Sequence, residues 1–484
     1  MGIRGRGRLA AGILGAAVAA GPAAADEIGD VRGQIDAMRR QMDAMRTGYE
    51  TQIRALETRL GAMERDAATR VAPAAGATAA GASVAPGRTA APGIFGGPGQ
   101  PFQVGLSGSV AGGGSSVNNE ALGNLQRGHH DPNKNGFTLQ SAELFVGGSV
   151  DPYFDAQATI SLNIDAEGET EVELEEAFFV TRSLPYGLQV KGGQYYTEFG
   201  RVNAMHQHQW DFVDQPVIIS RLFGGDGLRS QGARLGWLTP LPWYSELIVG
   251  MQNAKGETAA SFLGVAGDTV GGVTLDDRRT RDFGDLLYSA RWLNGFDVGS
   301  GLSMNVGVSG AVGPNAAGGS NDTVILGGDL YAKWQPAQTE RGFPFVSFLV
   351  EGMWRRYDAG ADATVDGFTE DGEPILIGGR SSLRDWGGFA QALWGFTPGW
   401  VAGLRLDYAN ASGGFADRAT DPLRDRRWRL SPNMTWFPTE FSKVRLQYNR
   451  DWAQHLEGTD DDGGAHTLWL QVEFALGGHF AHTF

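Results

Sequence analysis

The chain has 484 residues, of which 73 are glycine and none is cysteine, and its formal net charge is −15. Without cysteine it can have no disulfide framework, no thiolate metal site and no cysteine nucleophile. So acidic a chain also argues against nucleic acid as a partner, because binding to phosphates needs a basic surface.

Residues 1–25 have the order of a secretory signal peptide. Arg4, Arg6 and Arg8 form the charged start, residues 9–21 form a short apolar run, and three alanines close the segment. The apolar run is too short and too rich in alanine and glycine to predict a spanning helix, and no later stretch has about 18 uninterrupted apolar residues. We therefore expect an exported protein, which can cross a membrane only as a closed barrel.

Residues 26–68 are predicted to form a helix, because apolar side chains recur at spacings of three and four. The narrow apolar stripe favours a short coiled coil over a single amphipathic helix packed on a globular domain. Residues 69–100 follow as a flexible linker of alanine, glycine and proline. We expect the coiled coil to be a periplasmic stalk that can contact peptidoglycan.

Residues 101–484 alternate between runs with a period of two and clusters of turn residues, which predicts an all-β fold. Runs of this length suit the tilted strands of a transmembrane antiparallel β-barrel of about sixteen strands. The predicted strands are 102–113, 137–150, 155–165, 171–182, 188–197, 229–238, 243–253, 283–293, 299–310, 323–335, 344–357, 384–396, 400–410, 425–437, 443–452 and 466–476.

The connections between these strands alternate in length. Short turns such as 397–399 follow the even-numbered strands, whereas long polar connections such as 114–136 and 254–282 follow most odd-numbered ones. This asymmetry is typical of outer-membrane barrels, whose short turns face the periplasm. A soluble sandwich, which is the alternative, gives no reason for it.

Aromatic residues crowd the short turns, where a barrel would place a girdle at the membrane interface rather than a soluble core. They are Trp237, Trp243, Tyr244, Trp394, Trp400, Trp436 and Phe437.

Charged residues occupy one face of several predicted strands, opposite an apolar face. An arginine on the lipid face would cost about 2–4 kcal/mol at the membrane midplane, so we expect these residues to face a lumen. They form a basic wall and an acidic wall of the lumen, and these charges either set an ion preference or only keep the lumen filled with water. The basic wall comprises Arg405, Arg427, Arg429, Lys443 and Arg445, and the acidic wall comprises Glu173 and Glu175, with Glu143 as a further candidate.

The connection 198–228 is long but rich in Trp, Phe, Val and Ile. Loops that face water are seldom so apolar, so we predict that it folds inward and forms the constriction of a pore. The alternatives are a lid packed over the rim or a contact between protomers. The constriction candidates are Arg201, His206, His208, Asp211, Asp214 and Arg221.

His206 and His208 are separated by one residue and can supply two imidazoles to Zn²⁺. Two ligands do not complete a metal site, and histidines that are only hydrogen-bonded or lie at the rim are the alternative. The chain has no hydrolase, metalloprotease or nucleotide-binding motif. We therefore expect neither an enzyme nor a bound cofactor.

The last predicted strand alternates apolar and mixed positions, and the chain then ends on Phe484. This is the end expected of a strand that closes a barrel against the first strand.

With its signal peptide, coiled coil, linker and barrel, the chain resembles the phosphate-selective porins of the O and P type. The segments starting at Gly200 (GRVNAMHQH), Phe223 (FGGDGLR) and Gly478 (GHFAHTF) also resemble a group described as zinc-regulated outer-membrane proteins. The resemblance implies a homotrimer in the lipid of the Gram-negative outer membrane, with passive diffusion through each protomer and an anion preference. It also implies that Phe484 helps the barrel assembly machinery recognise the chain. An envelope tether and a metal-handling pore are the alternative functions.

Overall fold

The fold is a closed antiparallel β-barrel, in which the described residues supply sixteen hydrogen-bonded strands. The computed structural model describes residues 103–164, 168–360, 364–368, 374–377, 379–457 and 463–477. The predicted signal peptide, coiled coil and linker lie outside the described residues, as does Phe484.

The strands of the barrel agree with the sequence prediction to within a few residues at each end. They are β1 (Gln103–Ser115), β2 (Gly136–Ser149), β3 (Phe154–Ile164), β4 (Thr170–Thr181), β5 (Leu188–Tyr196), β6 (Arg229–Leu238), β7 (Tyr244–Asn253), β10 (Leu286–Val298), β11 (Leu302–Asn315), β12 (Asn321–Trp334), β13 (Phe345–Ala359), β16 (Ser381–Thr397), β17 (Trp400–Ser412), β18 (Arg427–Thr439), β19 (Ser442–Ala453) and β20 (Gly464–Leu476).

The connections carry further short elements. Two hairpins are formed by β8 (Thr269–Val270) with β9 (Val273–Thr274) and by β14 (Thr364–Phe368) with β15 (Pro374–Ile377), and the α-helices are α1 (Asn119–Leu125) and α2 (Val217–Phe223). No helix in the described ranges is both long and apolar enough to cross a membrane.

The barrel closes where β1 pairs with β20, as the alternation of the last strand predicted. The antiparallel register runs from Leu106 opposite Leu476 to Ser115 opposite Thr467. Since β1 also pairs with β2, both edges of β1 are hydrogen-bonded. The sheet therefore has no free edge at this seam.

Burial is inverted relative to a soluble protein. Along β20, Leu470 is 49% exposed whereas the neighbouring Gln471 is fully buried. The same alternation recurs around the barrel, with large apolar side chains outside and charged or amide side chains inside. Successive side chains of a strand point to opposite faces, so the sequence period directly produces an apolar outer belt and a polar interior.

The predicted aromatic girdle is confirmed for its tryptophans, which point outward; Trp394 is 57% exposed. Phe437 was assigned to the same girdle, and that assignment is wrong. Its side chain packs inside the barrel against the cluster of Phe343, Phe345 and Val401. Trp436 is exposed and Phe437 follows it, so the alternation of β18 turns Phe437 inward; the assignment relied on the clustering of aromatic residues beside the turn and not on this period.

The long connections lie together at one end of the barrel, because antiparallel strands alternate in direction. The connections 116–135, 197–228 and 254–285 are at this end, and short turns such as 398–399 are at the other. Three of the long connections pack against one another and against the inner wall. Their buried apolar residues include Leu122 of the first, Phe223 of the second and Phe262 of the third.

Candidate functional site

The connection 197–228, here called the inward segment, fills part of the lumen. All seven residues of α2 are buried, and the helix packs against β13, β16 and β17. Phe199 and Phe223 meet edge to face, with 5.2 Å between ring centroids. Glycine on the wall admits both the helix and the neighbouring strand: a Cβ at Gly387 would lie 3.0 Å from Ile218 Cδ1 and 2.3 Å from the carbonyl oxygen of Tyr408 on β17. The apolar composition of the segment is thus accommodated by an internal core, as the sequence predicted.

Asp214 is the hub that fixes the inward segment to the basic wall. Its Oδ1 accepts from Arg405 Nη2 at 2.6 Å and from Gln447 Nε2 at 2.9 Å. Its Oδ2 accepts from Arg429 Nη1 at 3.0 Å and from Asn449 Nδ2 at 2.7 Å. Burial alone would raise the pKa of Asp214, but the charges of Arg429 and Arg405 outweigh it and hold the pKa below its ordinary value. The carboxylate is therefore ionised at neutral pH.

Backbone groups of the inward segment are held in the same way. Glu351 of β13 accepts from the amides of Arg201 at 2.8 Å and Val202 at 3.3 Å. Asp407 of β17 accepts at 3.0 Å from the amide of Val217, where α2 begins. These hydrogen bonds satisfy buried backbone amides, so they anchor the segment near its start and at the beginning of α2.

Arg221 and Asp211 were also predicted for the constriction. Arg221 pairs with Asp425, which lies in the connection before β18. Asp211 accepts from Gln391 Nε2 at 2.7 Å, and its carbonyl accepts from Asn433 Nδ2 at 2.9 Å. Both residues therefore contact the inner wall or an adjoining connection rather than bulk water.

Most of the predicted basic wall is neutralised by carboxylates within the barrel. Arg427 and Arg429 both donate to Asp451, at 2.7 and 2.9 Å. Lys443 Nζ lies 2.9 Å from Glu473 Oε2. These charges balance one another, so they hold the wall together rather than presenting a row of free cations.

A cavity of about 570 Å³ lies between the inward segment and the short-turn end of the barrel. Three cations that line it bond to neutral partners. The guanidinium of Arg201 lies 3.8 Å from the Tyr331 ring centroid, and Lys333 Nζ lies 4.9 Å from that of Phe345. Arg445 donates to Thr435 Oγ1, Gln471 Oε1 and the carbonyl of Trp210.

The acids around the cavity are mostly paired. Glu176 lies 3.8 Å from Lys191 Nζ, Glu198 lies 2.8 Å from Arg234 Nε, and Asp329 lies 2.7 Å from Arg291 Nη1. Within the described ranges, the side chain of Asp211 is the lining carboxylate without an ion pair. The cavity is thus lined by more unpaired positive than unpaired negative charge.

The acid–histidine cluster lies beside the cavity and comprises His130, Glu143, Glu175, Glu176, His206 and His208. A bulge in β4 creates it: Thr159 lies opposite Glu176 and Ile160 opposite Leu174, so Glu175 is the extra residue. Both neighbouring glutamates can therefore point inward, and both are buried. A regular strand would have sent one of them outside.

His206 sits between two glutamates of this cluster. Its Nδ1 lies 2.9 Å from Glu175 Oε2 and its Nε2 lies 2.9 Å from Glu176 Oε2. His208 Nδ1 lies 2.8 Å from Glu143 Oε2. Burial lowers the pKa of His206, but hydrogen bonds to Glu175 and Glu176 and their charges raise it well above its usual value.

His130 reaches the cluster from the first long connection. Its Nε2 lies 3.2 Å from Glu175 Oε1, and its Nδ1 lies 2.7 Å from the carbonyl of Gln140. Gln140 is itself an extra residue, at a bulge between β1 and β2. Burial lowers the pKa of His130, but Glu175 raises it to about 9.

Sequence reasoning identified His206, His208 and Glu175, and the structure brings these three together. Sequence reasoning gave no role to His130 or Glu176. The signal available for Glu176 was the run Glu173-Leu174-Glu175-Glu176, whose two adjacent acids break the period of two. Glu173 lies nearer the rim of the barrel and pairs with Arg229.

No family model matches the chain. It is 34% identical over 368 residues to an uncharacterized protein of Aquifex aeolicus, and the match covers 72% of this chain and 71% of that protein.

Among solved structures, an anion-selective porin from Comamonas acidovorans is similar at 10% identity and a TM-score of 0.43, covering 78% of this chain and 100% of that one. The outer membrane channel DcaP of Acinetobacter baumannii is similar at 11% identity and a TM-score of 0.43, covering 78% and 96%. OprB of Pseudomonas putida is similar at 11% identity and a TM-score of 0.43, covering 78% and 94%. Identities this low do not transfer function.

Proposed function

The chain belongs to the same family as the uncharacterized Aquifex aeolicus protein, and from its own geometry we propose that it is an outer-membrane porin for passive diffusion of small hydrophilic solutes or ions. The observation that carries the proposal is the inverted burial of a closed barrel. Contiguous apolar surface of this extent is characteristic of a protein surrounded by lipid. A polar interior holds water and solutes, which a soluble core would exclude.

The cavity supports a preference for small anions. Arg201, Lys333 and Arg445 face it with neutral partners, whereas most of its acids are paired. Unpaired cations at a narrow point attract anions and raise their local concentration. The resemblance to phosphate-selective porins makes inorganic phosphate the first solute to test.

The inward segment supports a size limit. It narrows the lumen at the point where Asp214 joins it to Arg405 and Arg429, and solutes would pass between this segment and the remaining wall. Solutes pass by diffusion alone, and no covalent bond of the solute is made or broken. The resemblance to outer-membrane porins is the basis for the remaining proposals: a homotrimer in the Gram-negative outer membrane, inserted by the barrel assembly machinery, with its N-terminal stalk in the periplasm near peptidoglycan.

Single-channel recording tests the proposal. Purified, folded protein in a planar bilayer should give discrete conductance steps. Under a potassium chloride gradient the reversal potential should show anion preference, and the measurement is repeated with phosphate in place of chloride. Folded protein that gives no steps over a range of voltages refutes a porin, and a cation-selective reversal potential refutes the preference alone.

A further inference from the structure

We infer that the acid–histidine cluster is a binding site for one divalent transition-metal ion of the zinc class, with His206, Glu143 and Glu175 as ligands. The site goes beyond diffusion through the lumen and does not depend on conduction. It also differs from the pair suggested by sequence, because two carboxylates from β2 and β4 supply ligands and His208 takes an orienting position.

The spacing of the donor atoms fits such an ion. Zinc ligands lie about 2.0–2.2 Å from the metal in a tetrahedron, which places neighbouring donors roughly 3.3 Å apart. His206 Nδ1 lies 2.9 Å from Glu175 Oε2 and 3.9 Å from Glu143 Oε2. The three donors all lie within 4.8 Å of one another, so the widest separation has to close by at most about 1.5 Å to reach this spacing.

Glu143 provides an independent observation. It is fully buried, and its Oε1 has no hydrogen-bond partner within the described residues. A buried carboxylate oxygen without a partner is costly, and buried polar groups are nearly always satisfied by a hydrogen bond or an ion. A cation bound by both carboxylate oxygens of Glu143 supplies that partner, since Oε2 is the oxygen that faces His206 and His208.

The surroundings orient the ligands as metal sites commonly do. Metal-bound histidines usually give their second ring N–H to a carboxylate or a carbonyl, which fixes the tautomer. His206 Nε2 lies 2.9 Å from Glu176 Oε2, so it can donate there while Nδ1 faces the ion. His208 positions Glu143 from 2.8 Å, and His130 positions Glu175 from 3.2 Å.

The charge of the cluster is compatible with a dication. Glu143, Glu175 and Glu176 bring three carboxylates into a buried site. Their ion-paired lysine in the described part of the chain is Lys191, which Glu176 shares with Glu198 at 3.8 and 3.6 Å. Protonated His130 and His206 balance the remaining two charges without an ion, and a divalent ion takes their place by displacing two protons. The ion thereby ties the inward segment to β2 and β4.

Zinc titration of the full-length folded protein in detergent, after removal of metal with a chelator, tests the site. We expect one Zn²⁺ per chain, measured by calorimetry. Glu143→Gln, Glu175→Gln and His206→Gln should each weaken binding by at least about 100-fold, and Glu176→Gln by about 10- to 100-fold. His455→Gln is the matched control, because His455 lies 2.8 Å from Asp425 outside the cluster and should leave affinity unchanged.

His479 and His482 lie outside the described residues and can bind the probe separately, so the titration is repeated on His479→Gln/His482→Gln protein. Folding of each variant is checked by circular dichroism and by the change in gel mobility on heating. Equal affinity in folded Glu143→Gln and wild-type protein overturns the inference, as does the absence of binding by the wild type.

Zinc-edge X-ray absorption of the wild type decides the matter if the variants do not fold. Scattering from one histidine within a shell of nitrogen and oxygen at about 2.0–2.1 Å supports the site, whereas a shell of water oxygens alone overturns it. Zinc binding without conductance would refute the porin but support the metal site. Conductance without zinc binding would support the porin but refute the metal site.

Discussion

Replacing Asp214 by asparagine should release the inward segment from the basic wall. The substitution keeps the shape of the side chain but removes the charge that Arg405 and Arg429 share. Removing one partner of a buried pair costs about 3–5 kcal/mol. Arg405 keeps Asp407 at 2.8 Å and Arg429 keeps Asp451 at 2.9 Å, so we expect the lower value, about 3 kcal/mol.

Such a loss raises the population of the open segment by roughly 100-fold, since 1.4 kcal/mol corresponds to a factor of ten. Hydrogen exchange followed by mass spectrometry measures it, because amides of the segment exchange through local opening. Peptides that cover residues 205–223 should exchange about 100-fold faster in folded Asp214→Asn protein, while peptides from β16 and β17 should be unchanged.

Asp211→Asn is the matched control. Asp211 lies in the same segment, but its side chain bonds to the neutral Gln391 at 2.7 Å. Asparagine keeps an oxygen that accepts from Gln391, so this hydrogen bond is weakened from charged to neutral, which costs at most about 1 kcal/mol, or roughly a five-fold change in exchange. Equal exchange in the two variants would refute the hub role of Asp214.

Three further predictions address the remaining parts of the proposal. Arg201→Gln combined with Arg445→Gln should lower the anion-to-cation permeability ratio about 25-fold, since each unit charge about 4 Å from an ion is worth roughly 1 kcal/mol in water, or about five-fold. Arg279→Gln, in an exposed connection, is the control, and an unchanged reversal potential in the double variant contradicts the anion preference. Deletion of residues 27–100 should leave single-channel conductance unchanged, as expected of a porin. Loss of envelope attachment in the same variant would favour the tether. Deletion of Phe484 should reduce the amount of assembled barrel in outer-membrane fractions without altering conductance per channel, and normal assembly would argue against an assembly signal.

The strands and their order could be predicted because their signals are local. Alternation such as Leu468 to Leu476 and turns such as 397–399 depend on neighbours in sequence, and the barrel follows from satisfying every strand edge. The inward path of 197–228 was also predictable, since apolar residues in a long connection need a core.

Pairing across the lumen could not be predicted in this way. Nothing near Asp214 in sequence indicates Arg405 or Arg429, which are about 190 and 215 residues away. Without these partners, the basic wall was expected to be free. The bulge at Glu175 likewise depends on the register of two strands, which the sequence of one strand does not contain. Glu176 and His130 were therefore missed, while Glu175 and His206 were found.

The hub at Asp214 also joins the beginning of the barrel to its end. Gln126, just after α1, donates to Asp214 Oδ2 at 3.0 Å and accepts from Arg429 Nη1 at 2.8 Å. The carbonyl of Leu125 accepts from Arg427 Nη2 at 2.7 Å. These groups come together only where β1 lies beside β20, so the hub links the two sides of the seam. Lateral separation of the first and last strands must therefore break the side-chain contacts of the hub as well as the backbone hydrogen bonds between β1 and β20.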